Sequence, residues 1–203
     1  MRVLLVHGLN RTPFSMFGLA FALRRAGHHT QFFAYAPLAE TLPRIVRRLV
    51  AQLHQLARLG RPVGLVGHSL GGLLLRMALS AVPELPVHRL VMLGTPNRPP
   101  RMAMLAAQWR AFRWLTRDCG RFLASLEAIP ALPDPAVPYT LIAGTGGYRG
   151  PWCLFGDEPN DGIVGASEIP IRETDTPVWF PVWHTIMMND PAVRRTVVAA
   201  MIS

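Results

Sequence analysis

The chain of 203 residues carries a net charge of +9 at pH 7, with half of its residues hydrophobic and 16% charged. That composition excludes a disordered or fibrous chain, and no stretch reaches the ~20 consecutive apolar residues of a membrane-spanning helix. All 21 basic residues are Arg, scattered in runs no longer than two; with no glycine-aromatic or Cys/His module beside them they read as a compositional bias, and no nucleic-acid partner is expected.

Arg2 to Val6 is an apolar run ending at His7-Gly8, which predicts a buried strand. It is too short for the core of a secretion signal, so the cytoplasm is the default address. Pro13 to Ala26 predicts a helix stopped by Gly27, and Gln31 to Ala36 an aromatic-rich strand ended by Pro37. From Thr41 to Leu59 apolar residues recur at helical spacing, with Pro43 in the first turn. Val63 to Gly67 reads as a strand, Gly71 to Val82 as an apolar helix, and His88 to Gly94 as a further strand. Tyr139 to Gly144 and Val178 to Val182 complete the strands, Pro181 marking an end or interruption of the last, and a helix from about Pro191 closes the chain. This alternation implies one α/β domain over 1–203, with a mostly parallel central sheet, helices on both faces and a helical insertion at about 97–138. In such sheets the sites lie beyond the carboxyl ends of the strands. His7, Ser69, the Gly94-Thr95-Pro96 turn, Asp161 and His184 all follow strands and are expected at one edge.

The strongest local signal is Gly67-His68-Ser69-Leu70-Gly71, a G-x-S-x-G between a strand-like and a helix-like run. A sharp strand-to-helix turn strains the Ser and lifts its hydroxyl above the sheet. Small residues two before and two after are required because backbone segments pass very close. The helix start leaves the Leu70 amide free to face a developing oxyanion.

This segment, with Val6-His7-Gly8-Leu9-Asn10 at the first strand, resembles the α/β-hydrolase superfamily, closest to its lipase and esterase branch, over nearly the whole chain. The resemblance implies that the Leu9 amide is the second oxyanion donor, with His7 ordering the loop. It also implies the chain order Ser, acid, His. His184, after the last strand and before the last helix, is then the base. His68 adjoins the nucleophile and cannot easily turn onto it, and His28 and His29 read as an exposed turn. For the acid, Asn160-Asp161-Gly162-Ile163-Val164 resembles the segment that carries it in lipase-like members, with Asp157, Glu158, Glu168 and Asp175 as rivals. The acidic loop lacks the ligand spacing of a calcium site, and the chemistry calls for no metal or organic cofactor. Gly94-Thr95-Pro96-Asn97 resembles a lipase segment; it reads either as a plain turn or as a source of hydrogen bonds near the nucleophile. Cys119 and Cys153 are expected as free thiols.

In the insertion, Met102, Leu105, Trp109 and Phe112 fall on one helical stripe and Arg110, Arg113, Arg117 and Arg121 on another. The plain expectation is a helix packed on the domain with a solvated Arg face. A cap or lid over an apolar substrate, or transient contact with a membrane surface, are the alternatives. The resemblance implies hydrolysis of a small-molecule or lipid ester through an acyl-enzyme. Acyl transfer or thioester cleavage would use the same three residues, and a non-catalytic binding protein would betray itself by a lost member of the three.

Overall fold

A computed structural model of the protein describes residues 1–202. Six strands form its sheet: β1 (Arg2–Val6), β2 (His29–Phe33), β3 (Val63–His68), β4 (Val87–Leu93), β5 (Tyr139–Gly144) and β6 (Val178–Phe180). The spatial order is β2-β1-β3-β4-β5-β6, and every neighbouring pair is parallel. The chain runs outward from β1 to β2 and then crosses back to place β3 on the other side of β1. That reversal opens a crevice at the carboxyl ends of β1 and β3, where His7-Gly8-Leu9 and His68-Ser69 lie.

Helices cover both faces: α1 (Phe17–Arg25), α2 (Leu42–Ala57), α3 (Leu70–Leu79), α4 (Arg101–Ala106), α5 (Arg110–Leu123) and α6 (Pro191–Ala200). Alternate strand residues feed two cores. Leu4, Val6, Leu65 and Met92 meet α2 and α3 on one face, and Val3, Leu5, Val66 and Val91 meet α1 and α6 on the other. Burial on both sides is why these strands are written as unbroken apolar runs rather than alternating ones.

The helix expected over Gly71 to Val82 ends at Leu79, other boundaries shift by a residue or two, and three departures have a structural cause. The predicted first helix begins as a 3-10 turn, Pro13–Met16, before α1. The aromatic strand starts at His29, which pairs with Arg2, and ends at Phe33, so His29 opens a strand instead of lying in a turn. It ends early because Tyr35 leaves the sheet to stack on His7. The last strand stops at Phe180, where Pro181 removes the next ladder donor.

The insertion between β4 and β5 holds α4 and α5, and α5 breaks at Arg117 (φ 45°, ψ −125°). The turn between the two helices shifts the helical phase. Within α4 the inward face is Met102, Ala103 and Ala106, which leaves Leu105 outside it; beyond the turn Phe112 faces inward while Trp109 points outward, so the expected stripe is split. Both cysteines are free thiols, and burial pushes the Cys119 thiol up to about 12. Among the described residues no helix is long and apolar enough to cross a membrane.

Candidate active site

Ser69 sits between β3 and α3 at φ 52° and ψ −123°, a region that costs a non-glycine residue of order 1–3 kcal/mol. Its N–H donates to the Leu93 carbonyl at 2.8 Å, and its own carbonyl accepts from Gly72 N–H at 3.0 Å. The strained turn is therefore pinned to β4 on one side and to the first turn of α3 on the other. A Cβ on Gly67 would lie 2.4 Å from Gly72 N, and one on Gly71 would lie 2.3 Å from the Val6 carbonyl oxygen. Any side chain at either position forces this backbone apart. Leu70 is the first residue of α3, so its N–H has no acceptor within the helix.

Asp161 and His184 meet in the interior. Asp161 Oδ2 lies 2.7 Å from His184 Nδ1, with both side chains almost wholly buried. The other oxygen, Oδ1, accepts from Ile163 N–H at 3.0 Å and Val164 N–H at 2.7 Å. The backbone pairs too: His184 N–H donates to the Asp161 carbonyl at 2.9 Å. With Nδ1 facing a carboxylate, the tautomer carries its proton there and leaves Nε2 as the free acceptor. His68 adds a third hold. Its Nε2–H donates to the His184 carbonyl at 3.0 Å, and its ring centroid lies 4.8 Å from that of His184. Burial, then the nearby His184, hold His68 well below the ordinary histidine value, so it is a neutral donor.

The loop after β1 is ordered by His7. Its ring stacks on Tyr35 at 4.3 Å, its Nδ1–H donates to the Gly8 carbonyl at 2.9 Å, and its Nε2 accepts from Tyr35 N–H at 3.4 Å. Burial lowers its pKa from the usual value. Arg11 N–H then closes a turn onto the Gly8 carbonyl at 3.2 Å. Asn10 adopts φ 52° within that turn, a conformation asparagine tolerates well.

Leu9, Ser69 and His184 line one cavity of about 350 Å³, walled by Met102, Ala106 and Phe112 of the insertion. Ile163 and Val164 of the Asp161 loop close another side. The cavity is mostly hydrocarbon, with the polar groups clustered at the serine. Asp161 stands behind His184, away from it.

The rival acids serve elsewhere. Glu168 Oε1 accepts from Arg101 Nε at 2.7 Å and Arg101 N–H at 3.0 Å, and its Oε2 accepts from Gly165 N–H at 3.0 Å. Glu158 takes Arg101 Nη2 at 2.6 Å and Ser167 N–H at 2.7 Å. Together they clamp the start of the insertion to the loop that carries Asp161. Asp175 holds the Tyr139 hydroxyl at 2.7 Å, and Asp157 is exposed. Asn97 takes a structural part in the turn after β4. Its Oδ1 accepts from Arg76 Nη1 at 2.9 Å and its Nδ2 donates to the Ile169 carbonyl at 2.7 Å. Sequence reasoning passed over His68 as the anchor of His184, and Asn160, whose Oδ1 accepts from Gly162 N–H at 2.9 Å beneath the acid loop. The polar residue ahead of Asp161-Gly162 was a readable signal for the second. Nothing local announced the first. Among the described residues no three His, Cys, Asp or Glu side chains cluster to hold a metal ion.

Residues 3–202 match the family model described as "Alpha/beta hydrolase family". No curated protein sequence matches the chain. Among solved structures, the mature form of the lipase BlEst2 of Bacillus licheniformis superposes with a TM-score of 0.72 at 21% identity, covering 97% of this chain and 91% of that one. A structure titled for LipS and LipT, two metagenome-derived lipolytic enzymes, gives 0.67 at 17% identity over 100% and 94%. The RedJ thioesterase of Streptomyces coelicolor gives 0.63 at 14% over 98% and 84%. At these identities the likeness is one of fold.

Proposed function

The chain belongs to the alpha/beta hydrolase family, and from that premise we propose that it hydrolyses carboxylic esters through an acyl-enzyme on Ser69. The observation that carries this reading is the buried Asp161–His184 pair at 2.7 Å, set at the wall of a cavity that Ser69 shares. Ser69 Oγ attacks the ester carbonyl carbon and gives its proton to His184 Nε2. Asp161 holds the imidazole in the tautomer that can accept it and stabilises the resulting cation. The negative charge that develops on the carbonyl oxygen is met by the N–H groups of Leu70 and Leu9; one such donor is typically worth about 10²- to 10³-fold in rate. Collapse expels the alcohol, which takes the proton back from His184. Water then repeats the sequence and frees the acid. The substrate is a small or lipid ester whose acyl part suits a hydrocarbon wall.

The test compares native protein and Ser69→Ala on p-nitrophenyl esters of short and long acyl chains. Turnover should fall on the order of 10⁶-fold in the variant, leaving only what the backbone donors and binding supply; equal turnover would remove Ser69 from the reaction. Acyl transfer to an alcohol would appear in the same assay as a new ester product when an alcohol is added.

A further inference from the structure

The outer face of the insertion takes no part in the cavity. Thr116, Cys119, Phe122 and Leu123 bury one side of the strongly amphipathic α5, whereas Trp109 and Trp114 are 70% and 68% exposed. Arg113, Trp114, Arg117 and Arg121 form one contiguous shallow surface, with Arg110 exposed a turn away. Between Arg98 and Leu126 six Arg stand against one Asp, and that Asp118 is paired with Arg121. Leu105 and Leu115 extend the exposed apolar area beside them.

Two large indoles in water beside uncompensated guanidinium groups form a surface with two chemistries at once. A second copy of the chain would bring like charge against like, since the net charge is +9. We propose that this face docks on an anionic lipid surface. Trp109 and Trp114 enter the headgroup layer, where an amphipathic ring is favoured, and Arg110 and Arg113 pair with lipid phosphates. Attachment to a bilayer surface strengthens with buried apolar area and with attraction to anionic lipid, and this face offers both. Arg117 is bound to the Leu38 carbonyl at 3.0 Å and keeps its place in the fold. Because the inner side of the same insertion walls the cavity, docking holds one wall of the cavity at the lipid surface. That consequence for substrate rests on the ester-hydrolase reading, but the docking itself does not.

The test uses Ser69→Ala protein, so that binding is read without turnover and stays separate from any failure of the hydrolase reading. Co-sedimentation is measured with vesicles of phosphatidylcholine alone and of phosphatidylcholine mixed with phosphatidylglycerol. Binding to the anionic vesicles is expected, and it should vanish at about 1 M NaCl, where charges are screened within ~3 Å. Removing two charges in R110Q/R113Q should weaken it about 30-fold, and W109A/W114A should release it. If the double variant fails a circular-dichroism check of folding, R113Q alone should weaken binding about fivefold. Equal binding to both vesicle types, no binding to either, or full binding by the folded variants overturns the proposal. So does tighter binding to a single-stranded oligonucleotide than to the anionic vesicles, which would assign the face to nucleic acid.

Discussion

Asp161 uses both of its oxygens, and the division between them makes a sharp prediction. Oδ2 faces His184 while Oδ1 holds the Ile163 and Val164 amides. In Asp161→Asn the amide oxygen can keep those two backbone bonds, but its NH2 group must face Nδ1. The imidazole then takes the opposite tautomer, and Nε2 can no longer accept the serine proton. On the proposed mechanism kcat should fall about 10⁴-fold with little change in thermal stability. Asp161→Ala should lose both the rate and the loop. Steady-state kinetics with thermal melts would separate the two, and an Asn variant of near-native rate would remove Asp161 from the acid's role. At this scale the sequence was informative wherever the neighbours of a residue are local. Gly162, Ile163 and Val164 adjoin Asp161 in the chain, so the loop that seats it could be read. His68 reaches the His184 carbonyl across 116 positions of sequence, and no local pattern records that bond.

At the scale of elements, the insertion is fixed at its root by the Glu168–Arg101–Glu158 cluster. Glu168 is buried and ties the first residue of α4 to Gly165, four residues beyond Asp161. Glu168→Ala leaves Arg101 short of its main partner and the Gly165 amide bare. Loss of one member of a fully buried pair typically costs ~3–5 kcal/mol. Arg101 is 33% exposed along its side chain, so about 2 kcal/mol is expected here, since water compensates part of the loss. Urea unfolding measures this, and the cavity wall formed by Met102 and Ala106 should loosen with it, raising KM for long-chain esters more than for short ones. A variant with unchanged midpoint and unchanged chain-length preference would show that the clamp does not hold the insertion. The helical content of this segment was legible from its periodicity. Its break at Arg117 and the turn before Trp109 were not, because no proline or glycine punctuates either point.

For the whole molecule, the parallel sheet was legible because strands buried on both faces must be apolar throughout, and because the strained serine turn falls where the strand order reverses. The same burial gives the protein a pH dependence. His7 and His68 are both held below the ordinary histidine value of 6.5, chiefly by burial. Below about pH 6.5 the unfolded chain binds protons on these two residues that the folded chain refuses. Stability is therefore full above that pH and falls as the pH drops, by about 1.4 kcal/mol per unit for each histidine until its folded pKa is reached. Urea midpoints should fall between pH 6.5 and 5, a window above the range in which Glu40, Glu158 and Asp175, all lowered, begin to protonate. A flat profile there would mean that the two rings accept protons without unfolding.

The central claim is that Ser69, raised on a strained turn and served by His184, is the nucleophile. A fluorophosphonate forms a stable bond only with an activated serine, so intact-mass and peptide mass spectrometry after labelling test it most directly. One adduct per chain, mapped to Ser69 and absent from Ser69→Ala, is the predicted result. An unlabelled native protein, or an adduct on another residue that survives in Ser69→Ala, would contradict it.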